Sequence, residues 1–160
     1  MKEKRQKTLV VGLGNPLSGD DGFGARVLER LHGQGAGLPP GASLLDAHTD
    51  LLNHLETFAG YDRIVLVDAV LDPDGKLGEP GAVSTFDEEA LLALSETSPS
   101  VHQVSPLLAV KLFRVLHLEA RPRITLVGLL VDQISLSPRY ATDERIKRCA
   151  DTVLDLIRTS

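Results

Sequence analysis

TLVVGLGNPLSGDDGFG, residues 8 to 24, is the stretch on which the architecture turns. An apolar, β-branched run from Thr8 to Gly12 breaks into a glycine-rich acidic loop. Phe23, Val27, Leu28 and Leu31 then recur at helical spacing. A run that is apolar on both faces suits a central strand of a parallel sheet covered by helices. Ligands of such sheets gather at the carboxyl ends of the strands, so the loop after Gly12 is where chemistry is expected. That loop is no phosphate cradle. A dinucleotide fingerprint needs a third glycine at position 17, which is Leu17 here. Asp20 and Asp21 would also repel a phosphate at the helix N-terminus, and no Lys-Ser/Thr pair follows. One aspartate is enough to cap the helix, which leaves the other to face the strand ends.

The rest of the chain repeats the alternation. Ala42 to Leu45 reads as a second strand, followed by a short helix with Leu51, Leu52, Leu55 and Phe58, capped by Thr49 or Asp50. Ile64 to Val67 is a third, buried strand. Pro73-Asp74-Gly75 is a turn, and Ala82 to Phe86 alternates as a fourth strand. Too few residues separate the third and fourth for a helical crossover, so the fourth is expected to run antiparallel. Ser105-Pro106 and Ser137-Pro138 each place a capping hydroxyl before a proline at a first helical position. The first opens a helix with Val104, Leu107, Leu108, Leu112, Val115 and Leu116 expected on its buried side. The second leads to Ile146, Ala150, Val153, Leu154 and Ile157, with Thr142 as an alternative start. Ile124 to Val131 lies between them as the last buried strand. The expectation is a single domain over residues 1–160: a three-layer α/β/α fold with a mostly parallel sheet and one antiparallel strand.

Composition narrows the function. The 160 residues carry 17 Lys and Arg against 22 Asp and Glu, a net charge of −5, which disfavours nucleic acid and anionic membranes as partners. The longest apolar run, Ile124 to Val131, is far short of the ~20 residues a membrane span needs. The N-terminus does not read as a signal peptide. The lone Cys149 makes no internal disulfide, and a cytoplasmic location is expected.

Asp68 follows IVLV directly, and a carboxylate there is costly unless paired or metal-bound. Asp46 ends the second strand and opens DAHTD, where an Asx turn is the plainer reading. His102 lies in SPSVHQVSP, a loop entering a helix. His32, His54 and His117 read as ordinary surface or core residues, and His48 is intermediate. Asp21, Asp68 and His102 together form a two-carboxylate, one-imidazole set on three loops. Such donors suit zinc, nickel, iron or manganese, and three ligands leave open positions for a substrate.

Four motifs occur in order: GLGNPLSGDDGFG, DAHTDLL, IVLVDAV and SVHQVSP. Together they resemble the hydrogenase maturation endopeptidases, which process the large subunit of nickel-iron hydrogenases. The resemblance spans roughly residues 8 to 131. It implies a twisted five-stranded sheet with helices on both sides, of the phosphorylase/hydrolase-like kind. It also implies metal binding at Asp21, Asp68 and His102 and a processing role for Asp46, as auxiliary acid or base. In the family two glycines usually follow that aspartate; here they are Ala47 and His48. The segment LLVDQISLS, 129 to 137, departs from the commoner Glu-Pro ending.

The implied activity is removal of a C-terminal extension from the hydrogenase large-subunit precursor after nickel insertion, by an aspartyl-type peptidase. Nickel would come with the substrate, although another divalent ion could occupy the site. The chain has no serine nucleophile elbow, no HExxH and no evident Cys-His pair. Two alternatives stand beside this reading. One is a non-catalytic, nickel-dependent binder of the large subunit. The other is a peptidyl-tRNA hydrolase, which shares GLGNP at residues 12 to 16 but needs a basic surface that is lacking here.

Overall fold

The computed structural model describes residues 4–33, 37–94 and 106–159. Five strands form one sheet: β1 (Thr8–Leu13), β2 (Ala42–His48), β3 (Arg63–Leu71), β4 (Val83–Asp87) and β5 (Arg123–Val131), in the order β2-β1-β3-β5-β4. β1 pairs parallel with β2 and β3, β3 pairs parallel with β5, and β4 runs antiparallel to β5 as expected. β1 is buried at all six positions, and the first five residues of β3 are buried too, which explains their unbroken apolar sequence.

The helices are α1 (Phe23–His32), α2 (Leu55–Phe58), α3 (Glu88–Leu92), α4 (Pro106–Leu116) and α5 (Asp143–Arg158). Phe23, Val27, Leu28 and Leu31 of α1 pack with Ile146, Cys149, Ala150 and Val153 of α5 on one face of the sheet. Leu55 and Phe58 of α2, Leu91 of α3 and Val110 and Phe113 of α4 cover the other. The sandwich is therefore α/β/α. Gly24 lets α1 sit directly on the sheet. A Cβ there would lie 2.4 Å from the Leu13 carbonyl oxygen and 2.6 Å from that of Val67.

Three readings of the sequence need correction. α5 starts at Asp143, with the Thr142 hydroxyl accepting from Arg145 N at 3.4 Å, so Ser137-Pro138 opens no helix. The segment before Thr142 is instead tied to the β1 loop. In α4, Leu107 is buried as expected, but Leu108, Leu112, Val115 and Leu116 are exposed, and Ala109, Val110 and Phe113 face the sheet. The helix carries two apolar stripes, and the one containing Phe113 packs on Phe58, with ring centroids 5.6 Å apart. Finally, α3 has no counterpart in the sequence reading. Asp87 caps it, with Oδ1 accepting from Ala90 N at 2.8 Å. Pro106 does occupy the first position of α4; the Ser105 half of that cap lies outside the described residues.

Candidate active site

The strand order reverses direction between β1 and β3. Chain leaves β1 toward β2 on one side, and β3 is laid down on the other, so a crevice opens outside their carboxyl ends. The loop after β1 and the end of the β1–β3 ladder flank this crevice. The ladder ends at Gly12↔Val67, one residue before Asp68. β3 itself continues to Leu71 along β5, where Asp68 pairs with Gly128. Asp68 therefore sits inside a strand, but at the point where one neighbouring strand has ended, rather than at the strand terminus.

The glycine loop folds back so that Asp21 meets its own beginning. Asn15 N donates to Asp21 Oδ2 at 2.9 Å, and Gly14 adopts φ +100. A Cβ on Gly14 would fall 1.9 Å from the Asp21 carbonyl oxygen, so no other residue fits. This turn holds Asp21 near Asp68. Burial is the main cause that pushes the Asp68 carboxyl up to about 8, and the Asp21 charge raises it further. A hydrogen bond from Ala69 N, 2.8 Å from Asp68 Oδ1, opposes them. Two carboxylates, one from the β1 loop and one from within β3, thus meet at the crevice, an arrangement that costs energy when both are ionised and that a cation relieves.

Asp20, the other acid of the pair, does something different. It is 1% exposed, and its Oδ1 accepts three backbone N–H groups, from Arg139, Tyr140 and Ala141, each at 2.9 Å. Neither Asp20 nor Asp21 caps a helix through its side chain; the short 3-10 turn Gly19–Gly22 and α1 have no side-chain cap. Asp20 is a clamp between the β1 loop and the segment after β5. No sequence signal could have found it, because its partners lie about 120 residues away.

Asp46 stands on the same edge of the sheet, registered with Gly12. The ladder is irregular there, and the extra residue, Ala47, lets Leu13 pair with His48. His48 takes φ 50, a left-handed conformation that glycine adopts without strain. Of the two glycines that the resemblance implies here, this conformation bears on the second, at position 48. His48 N donates to Asp46 Oδ1 at 3.1 Å, the Asx-type turn read from the sequence, and His48 Nδ1 lies 3.5 Å from the same oxygen. Both side chains are substantially exposed. Among the described residues no three His, Cys, Asp or Glu side chains are gathered closely enough to hold a metal ion. The structure therefore brings Asp21 and Asp68 together and leaves Asp46 and His48 outside any such group. His102, the third member of the set read from the sequence, lies outside the described residues. Cys149 is buried, and desolvation pushes its thiol up to about 12, which disfavours the thiolate that a nucleophile needs.

A crevice at the switch point, with two acids beside it, puts the chain in the class of open α/β-sheet proteins whose site lies outside the strand ends. The comparisons make this specific. The hydrogenase maturation protease family model matches residues 25–160. The hydrogenase 2 maturation protease of Escherichia coli is 27% identical over 151 residues, covering 94% of this chain and 88% of that protein. A Methanocaldococcus jannaschii relative, provisionally named a hydrogenase maturation protease, is 35% identical over 103 residues; the chain spans 63% of its length. The solved structure of the E. coli hydrogenase maturating endopeptidase HybD superposes with a TM-score of 0.78 at 26% identity, over 95% of this chain and 92% of that one. The chain belongs to the hydrogenase maturation protease family, whose members are named as peptide hydrolases.

Proposed function

We propose that this protein is an endopeptidase that removes the C-terminal extension of a nickel-iron hydrogenase large-subunit precursor. In this reading Asp21, Asp68 and His102 grip nickel already held by the substrate, so that the metal docks and positions the scissile bond. The observation that carries it is the convergence of Asp21 and Asp68 at the switch point, with Asp68 raised to about 8 by burial and by its neighbour. Paired carboxylates with an imidazole are donors that borderline divalent ions accept, and a site short of ligands must complete its coordination from the substrate. A resident ion of another kind is the alternative occupant of the same donors. Asp46, on the rim and hydrogen-bonded to His48 N, is assigned the auxiliary acid or base role.

Among the described residues no helix is long and apolar enough to cross a membrane. The free, buried Cys149 fits the cytoplasm, where the precursor would be met. The family match leaves the peptidyl-tRNA hydrolase alternative without support.

The test is incubation of the full chain with precursor large subunit, loaded with nickel or free of it, followed by mass measurement. Cleavage of the loaded form only is expected. Equal cleavage of both would overturn nickel docking, and a stable complex with intact precursor would identify a non-catalytic binder.

A further inference from the structure

At the opposite end of the sheet, the amino end, β3 and β5 begin with Arg63 and Arg123, which are register partners on adjacent parallel strands. Their side chains leave the sheet on the α5 face, where a cavity of about 590 Å³ opens beneath the last turn of α5. Thr85, Asp87, Thr125 and Leu156 help to line it. Arg63 is 3% exposed, yet only one of its nitrogens is satisfied: Nη2 donates to the Thr159 carbonyl at 3.1 Å. Nε and Nη1 are buried and find no acceptor. Burial, and then the neighbouring Arg123 charge, hold the Arg63 pKa below its ordinary value.

The nearby acids are committed elsewhere or outward-facing. Asp87 Oδ1 caps Ala90 N, and Glu88 binds Arg114 through both oxygens at 2.7 and 2.8 Å, while Glu89 is exposed. No ion pair joins Arg63 or Arg123 to a carboxylate among the described residues. A buried guanidinium with two unanswered N–H groups and a second cation beside it is costly unless an anion completes it.

We infer that the cavity under the end of α5 binds the oxyanion group, carboxylate or phosphoryl, of a small molecule, held by Arg63 and Arg123 with the Thr85 and Thr125 hydroxyls as further donors. Guanidinium groups match such oxygens better than any other side chain, and the cavity size is that of a small-ligand site. Five residues of extended β3, about 16 Å, separate Arg63 from Asp68, so this site is distinct from the crevice and independent of the function proposed above.

The experiment is calorimetric titration of the full chain with inorganic phosphate and, separately, with succinate, at constant ionic strength. Saturable one-to-one binding of at least one ion is expected, and which one binds separates a phosphoryl from a carboxylate ligand. Arg123→Gln, at the exposed member of the pair, should weaken binding about tenfold or more, while Arg148→Gln on the surface of α5 should bind as the parent does. The inference is overturned if neither ion saturates the protein, or if Arg123→Gln binds like the parent.

Discussion

The two ends of β3 are chemical opposites. At the amino end Arg63 and Arg123 lie side by side. Toward the carboxyl end, just past the point where the ladder with β1 stops, Asp68 and Asp21 are close enough for the Asp21 charge to raise the Asp68 pKa. Each brings like charges together around a strand whose middle, Ile64 to Val67, is wholly apolar and buried. Folding does not gain from such pairs; stability alone would replace them by apolar residues. Where like charges meet at the margin of a well-packed core, a bound molecule of opposite charge would relieve them. The acids stand at the switch point of the sheet. The arginines line a cavity under a helix end, sized for a small molecule.

The largest effect that would sharpen this contrast is on processing. Asp68→Ala or Asp21→Ala should lower the cleavage rate of nickel-loaded precursor by about 100-fold or more. The melting temperature of Asp68→Ala should be kept or raised. Arg123→Gln at the other end should leave cleavage unchanged. A gel-based time course checks both, and equal losses at the two ends would erase the functional distinction.

Next comes the clamp. Asp20→Ala should destabilise by roughly 2–4 kcal/mol, because three backbone N–H groups lose their shared acceptor. Asp20→Asn, which keeps one acceptor oxygen, should recover much of that, as read by denaturant midpoint. This separates the structural acid of the DD pair from the chemical one.

A smaller effect is on pH. Asp68 has a folded pKa of about 8 against 3.8 in its reference state, so the folded form holds the extra proton between those values. Stability of the metal-free protein should therefore fall as pH rises through that window, with the whole penalty present above 8. Asp68→Asn should flatten the fall and melt about 4 °C or more above the parent at pH 8.5. An unchanged pH profile would mean that Asp68 is not desolvated.

The smallest change concerns the rim. His48→Gly should stabilise by about 0.5–1 kcal/mol, since His48 occupies a left-handed conformation at φ 50. Cleavage assayed in the same variant shows whether the imidazole beside Asp46 matters to processing.

Much of the fold was legible because strands and amphipathic helices are local patterns. The β1, β3 and β5 runs are apolar wherever both faces are covered, and the short link from β3 to β4 was enough to make β4 antiparallel. Helix boundaries were less secure. Ser137-Pro138 and Thr142 offer equally good local starts, and the choice fell to Asp20, which holds Arg139 to Ala141 in a non-helical path. The buried face of α4 was misread for a related reason. Two apolar stripes compete on one helix, and only the position of Phe58 across the interface picks Phe113. For the site, motif order pointed to Asp21 and Asp68, and the fold supplied their meeting. Asp46 was placed on the correct edge, but its hydrogen bonding stays within its own turn.

The amino acids alone pointed to the five strands and to every longer helix, though not to α3, and to which family's motifs the chain carries. Those properties depend on side chains within a few residues of one another. Only the folded arrangement decided that Asp20 clamps while Asp21 faces Asp68, and that Arg63 and Arg123 stand together. Such pairings depend on strand order and register, which bring together groups dozens of residues apart, and no short-range pattern encodes them.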